Sequence, residues 1–207
     1  MSLLDILKAF RIEITQCDNL IAHAHAEDLA GNPILPAVDQ KQITVAAFLN
    51  MFIAWETFLE SAFAGYMTGE ATMVGRFPVK YVSPRDTNAA RAMVIGTQRY
   101  FDYGNHENVK KVARMFFQNG DPFEPHISGM IGDLADLRTM RNSSAHITST
   151  TQTALESLAL RIFASPRPGI DLYQFLTCAH PRIQGGLTVL SVYRDKLITA
   201  AVLIAQG

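Results

Sequence analysis

The sequence has little that would bind metal through sulfur or staple a secreted scaffold. Its two cysteines, Cys17 and Cys178, stand far apart in a chain of 207 residues. Two thiols cannot furnish a cysteine-rich zinc site or a disulfide framework, so both read as small buried hydrophobes. An excess of one charge is missing as well. Eighteen basic against nineteen acidic side chains leave a net charge of −1, which excludes a globally cationic nucleic-acid binder and any charged tail. An RNA would have to be gripped by a local patch, as a transient substrate. The chain lacks a Gly-rich phosphate loop, a Walker pattern, a Gly-x-Ser-x-Gly elbow and a Cys–His nucleophile pair. Long hydrophobic runs are also absent. The most apolar stretch, 43–55, is interrupted by Asn50 and followed by Glu56; it reads as a buried helix, too short to span a bilayer. Met1-Ser2-Leu3-Leu4-Asp5 has none of the basic, apolar and cleavage features of a signal peptide. A soluble cytoplasmic protein without membrane contact is expected.

What is present is apolar residue at helical spacing. With 48% hydrophobic residues, the chain can bury a core without cross-links, and one domain spanning 1–207 is expected. A first helix is read over 2–29, with Leu3, Ile6, Leu7, Phe10, Ile14, Cys17 and Ile21 on its inward stripe. A second, over 41–68, carries Phe48, Phe52, Trp55, Leu59, Phe63 and Tyr66 around much of its circumference and belongs at the centre of the core. Ser83, with Pro84 behind it, reads as the cap of a third helix running to about Phe101. Asn105 caps a short helix with Val109, Val112, Met115 and Phe116 inward. One helix is expected over 126–146, with Ile127, Met130, Ile131, Leu134, Leu137 and Met140 inward. Helices over 152–165, 170–178 and 187–205 follow. The expectation is an all-α bundle of six to eight helices, with a core over 40–205 and the N-terminal helix packed on it.

One segment carries chemistry: Arg141-Asn142-Ser143-Ser144-Ala145-His146, at the end of an amphipathic helix. This segment resembles the signature of the HEPN superfamily, an Arg followed by a polar residue with a His after four to six intervening positions. The helix containing Ala54-Trp55-Glu56-Thr57-Phe58-Leu59-Glu60 resembles the long core helix that precedes that motif. The resemblance implies a four-helix core with additional helices and, as function, a metal-independent endoribonuclease. It also implies a toxin or defence role, an antitoxin or other regulatory protein as partner, and a homodimer with a composite site. The alternative is a non-catalytic HEPN-like module that binds nucleotide, RNA or a protein. No cofactor and no metal are expected.

The residue types suit the chemistry. RNA is cut without metal when its own 2′-hydroxyl attacks the adjacent phosphorus. That reaction needs proton transfer, for which His146 is suited because imidazole titrates near neutrality. It also needs a cation for the charge on phosphorus, for which Arg141 offers a fork of donors. Asn142 can donate to phosphate or hold the histidine in one tautomer. Five residues on an ideal helix turn through about 140°, so Arg141 and His146 would not share a face. Either the helix loosens at Asn142–Ser144 or the two side chains flank a groove. A single motif histidine per chain adds to the case for two chains meeting at one site.

Other candidates carry plainer readings. Glu56, a carboxylate inside an apolar helix, either orients Arg141 or His146 or forms an ion pair with Arg138. Arg138 either extends the phosphate patch or is solvated. Lys110, Lys111 and Arg114 form a small basic patch that can guide RNA. Asp133 and Asp136 share a helix face and, with Glu56, make a third, metal-dependent alternative; a solvated face is the expected role. His23 and His25 point to different sides of their helix. His106, His126 and His180 are expected to face solvent or cap turns.

Overall fold

Helical periodicity dominates the computed structural model, which describes residues 1–145 and 148–207. The fold is all-α, as expected. Nine α-helices occur among the described residues: α1 (Leu3–Ala24), α2 (Ala37–Thr68), α3 (Thr87–Ile95), α4 (His106–Phe116), α5 (Phe123–Gly129), α6 (Ile131–Ala145), α7 (Ser149–Phe163), α8 (Leu172–Thr177) and α9 (Val189–Gln206), with a 3-10 turn at Gln118–Gly120. Isolated bridges such as Lys80–Phe117 are the only β-type pairing among those residues.

Two compact units divide the chain. Unit 1 comprises Met1–Ile12, Ala54–Ala135 and Leu197–Gly207; unit 2 comprises Glu13–Ile53 and Asp136–Lys196. Unit 1 is built on aromatic rings. Phe63 stacks on Phe123 with ring centroids 3.8 Å apart. Tyr66 meets both Phe117 and Phe123 edge-on, and Phe10 packs against Trp55 and Phe58. The buried Tyr66 hydroxyl donates to the Ile204 carbonyl at 2.7 Å, so the ring's polar tip is satisfied inside the core. Unit 2 buries Ile14, Cys17, Phe48 and Phe52 from its first segment, and Leu137, Met140, Leu158, Phe175 and Tyr193 from its second.

The helix boundaries correct several expectations, each through local hydrogen bonding. α1 stops at Ala24 rather than 29 because Asp28 folds the chain back on itself. Its carboxylate accepts from the backbone N–H groups of Ala30 and Asn32, a side-chain turn that competes with helix; Leu29 is left in solvent. Asp86, not Ser83, caps α3 by accepting from Ala89 N at 2.8 Å, and Gly96 at φ 60° closes the helix well before Phe101. The single helix expected over 126–146 is two, broken at Met130 (φ −117°, ψ 17°). Met130 is half-buried and Ile131 exposed, so neither joins the inward stripe. On α4 the inward positions are Val109, Ala113 and Phe116, while Met115 is exposed. α7 starts at Ser149 because Thr148 caps it, exchanging hydrogen bonds with Thr151. By length and composition α2 is long and apolar enough to cross a membrane, in contrast to the short run read from the sequence; 50% of its apolar window is buried within the protein.

Phe63 is wholly buried between other rings. Phe63→Ala is expected to cost about 3–5 kcal/mol, against less than about 0.5 kcal/mol for the exposed Leu29→Ala, both read as shifts of the urea unfolding midpoint.

Candidate functional site at the end of helix α6

The unit 2 part of α6 is oriented by one buried carboxylate. Asp136 is 7% exposed. It accepts a hydrogen bond from the Tyr193 hydroxyl of α9 at 2.6 Å and a charge-assisted one from the Arg161 guanidinium of α7. Asp136 in turn raises the Arg161 pKa above its usual value, its hydrogen bond being the largest cause. The solvated role expected for this residue is therefore corrected. Asp133 is half-buried and engaged, and no group of three metal-capable side chains gathers anywhere among the described residues.

With Asp136, Leu137 and Met140 turned inward, Arg141 is exposed. Its Nη1 donates to Asn142 Oδ1 at 3.4 Å, and it has no carboxylate partner among the described residues. Arg76, Arg91, Arg114 and Arg194, by contrast, are each held by an acid. The helix does not loosen at Asn142–Ser144; α6 continues to Ala145. Ser143 Oγ donates to the Met140 carbonyl at 2.8 Å and Ser144 Oγ to the Arg141 carbonyl at 2.6 Å. The two small hydroxyls thus bond back to carbonyls one turn earlier on the same helix. The partial negative charge at this helix end favours a cation on its last turns. His146, the proposed proton-transfer group, lies outside the described residues.

The remaining candidates fall in both units. Arg138, in unit 2, is half-buried and engaged rather than freely solvated. Glu56, in unit 1, is likewise half-buried and engaged. Of the basic trio on α4, Lys110 is largely covered and lies 3.7 Å from Glu107, Arg114 is paired with Glu124, and Lys111 is exposed. Of the histidines, His25 is held by Thr44 at 3.0 Å and stacks on Tyr173. His106 is half-buried. His180 is buried, contrary to a solvent-facing role; its Nδ1 accepts from the Arg182 backbone N–H at 3.3 Å.

Reading the sequence missed the partners of Asp136, because nothing local to Arg161 or Tyr193 marks them. It also missed a thiol environment. Cys17 is buried as expected, and burial, with Asp18 and Glu13 adding to it, pushes its pKa up to about 11. Cys178 is only half-buried. Its sulfur accepts from Arg167 Nη1 at 3.2 Å, the guanidinium lies 4.0 Å over the Phe163 ring, and both residues line an open hollow of about 430 Å³.

Compared with protein families, with curated proteins and with solved structures, the chain finds no match in any of the three. Its chemistry is therefore read from its own side chains.

A thiol reagent applied to the native protein is expected to label Cys178 and spare Cys17 until the protein unfolds, as peptide mass spectrometry would record; equal labelling of both would contradict the burial of Cys17. The histidines set a pH dependence. Burial is the largest cause lowering the pKa of both His126 and His180 below 6.5. The unfolded chain therefore binds protons near pH 6.5 that the folded chain takes up only at lower pH. Stability contributed by the neutral rings is present above 6.5 and is lost as pH falls through the folded values. Urea midpoints measured across that interval are expected to drop, and to drop less in His180→Gln.

Proposed function

We propose that this chain is a metal-independent endoribonuclease of the HEPN type, cutting RNA through attack of a 2′-hydroxyl on the adjacent phosphorus. The observation that carries this reading is Arg141: an exposed guanidinium without an acidic partner among the described residues, beside Asn142, on the last turns of a helix whose sequence runs on to His146. A guanidinium held by a carboxylate must give that partner up before it binds a phosphate; this one is open to it.

In this mechanism the proton of the 2′-hydroxyl passes to a histidine as the oxygen bonds to phosphorus. Arg141 binds the non-bridging oxygens as their charge grows, and Asn142 donates a further hydrogen bond or orients the imidazole. The bond to the 5′-oxygen then breaks, that oxygen takes up a proton, and a 2′,3′-cyclic phosphate remains. DNA, lacking the 2′-hydroxyl, is spared. Two proton transfers and one motif histidine per chain favour a homodimer in which two motifs face one groove. A cytoplasmic toxin or defence effector restrained by a protein partner fits such an activity, and neither metal nor cofactor enters the chemistry.

Purified protein incubated with a mixed RNA pool in excess chelator is expected to yield fragments with 2′,3′-cyclic phosphate ends. His146→Ala and Arg141→Ala are each expected to slow cleavage by about 100-fold or more with helix content and oligomeric state unchanged. Full activity in both variants would remove the site. An inert wild-type protein that still binds RNA or nucleotide would favour the non-catalytic module.

A further inference from the structure

A second surface, wholly within unit 1, has the make-up of a grip for single strands. Residues 76–85 and 110–115 contain Arg76, Lys80, Arg85, Lys110, Lys111 and Arg114 and not one acidic residue. The fold lays the first of these segments against the end of α4 and the turn that follows it. The Tyr81 N–H donates to the Phe116 carbonyl and the Gln118 N–H to the Val79 carbonyl, both at 2.9 Å, while Lys80 Nζ reaches the Met67 carbonyl at 2.6 Å. The extended stretch is thereby held in place beside the end of α4. Its side chains alternate: Pro78 is buried, whereas Phe77, Val79 and Tyr81 are 66%, 57% and 62% exposed.

Two aromatic faces about 13 Å apart on an anchored extended backbone are an unusual thing to leave in water. The cations of the two segments meet acids only from outside them: Asp121 for Arg76, Asp86 for Arg85, Glu107 for Lys110 and Glu124 for Arg114. The Arg85–Asp86 pair is largely exposed, so it contributes little to stability and can be exchanged for phosphate. Lys111 is exposed with no ion pair among the described residues.

We propose that this surface binds single-stranded RNA, with bases stacked on Phe77 and Tyr81 and phosphates held by Lys111, Arg85 and their basic neighbours. The inference rests on the ribonuclease reading and specifies its substrate class. Unpaired bases present the π-faces that exposed rings accept, whereas a duplex hides them.

The test uses the full-length His146→Ala protein, so that the probe is not consumed, and the fluorescence anisotropy of a labelled oligouridine beside an RNA duplex. Tighter binding of the single strand is expected. Adding Phe77→Ala or Tyr81→Ala should weaken it about tenfold each, Tyr81→Trp should retain it, and Lys111→Gln should flatten the log–log salt dependence by about 0.7. Matched circular dichroism and unfolding midpoints keep misfolding from imitating the effect. Unchanged affinity in both ring variants, equal binding of the duplex, or a change of oligomeric state without a change in RNA affinity would each overturn the surface; the last would assign it to a second copy of the chain. Cleavage by the same variants with His146 intact separates the two readings. If wild type cuts RNA and the ring variants bind it normally, the surface alone fails. If wild type neither cuts nor binds, both fail.

Discussion

A buried carboxylate sets the orientation of the helix that carries the candidate chemistry. Taking Asp136 out of water costs several kcal/mol unless partners replace the lost hydration, and Arg161 and Tyr193 supply them from α7 and α9. A helix with one charged position pinned in this way cannot rotate freely. Arg141 follows Asp136 by five residues, about 140° around the axis. The turn that buries Asp136 therefore sends Arg141 outward, while Leu137 and Met140 stay in the core. The exposure of Arg141 is a geometric consequence of where Asp136 must be.

Charge is distributed in keeping with this. A net charge of −1 says little about nucleic acid because several cations are each matched by a nearby acid, as Arg76, Arg114 and Arg194 are. What matters is which cations face solvent without a matched acid, or in pairs weak enough to be traded. Among the described residues, Arg141 is of the first kind. Arg85, four residues from Tyr81, is of the second, and the exposed rings of Phe77 and Tyr81 add an apolar component that a plain solubilising surface would not have. A chain close to neutrality can thus leave an exposed guanidinium in one unit and exposed rings beside cations in the other.

Much of the fold was legible in the residues. Phe48, Phe52, Trp55, Leu59, Phe63 and Tyr66 were read as one buried helix, and all six are buried. Leu190, Tyr193, Leu197, Ala201 and Ile204 recur at helical spacing on the last helix, and all five are buried. Errors gathered where two local options compete. Asp28 ends α1 early by capturing backbone N–H groups, and Asp86 prevails over Ser83 as a cap because its carboxylate reaches Ala89 N. Met115 and Ile131 fit an apolar period and still face solvent, because hydrophobicity says what can be buried and not that a neighbour is there to bury it. Within the candidate site, Arg141 is exposed and Asn142 half-buried on the last turns of α6; Asp136 and Cys178 do not have the surroundings assumed for them.

The residues by themselves determined the all-α class, most of the helices and the motif at the end of α6, since these follow from periodicity and caps that operate within a turn or two of chain. Only the tertiary structure decided which polar groups are buried and with whom. Asp136 meets Arg161 from 25 positions away and Tyr193 from 57, and Arg194 meets Asp18 from 176. No local pattern encodes such partnerships. They arise when helices pack and water is removed, and a carboxylate that would be solvated on an isolated helix becomes the group that orients it.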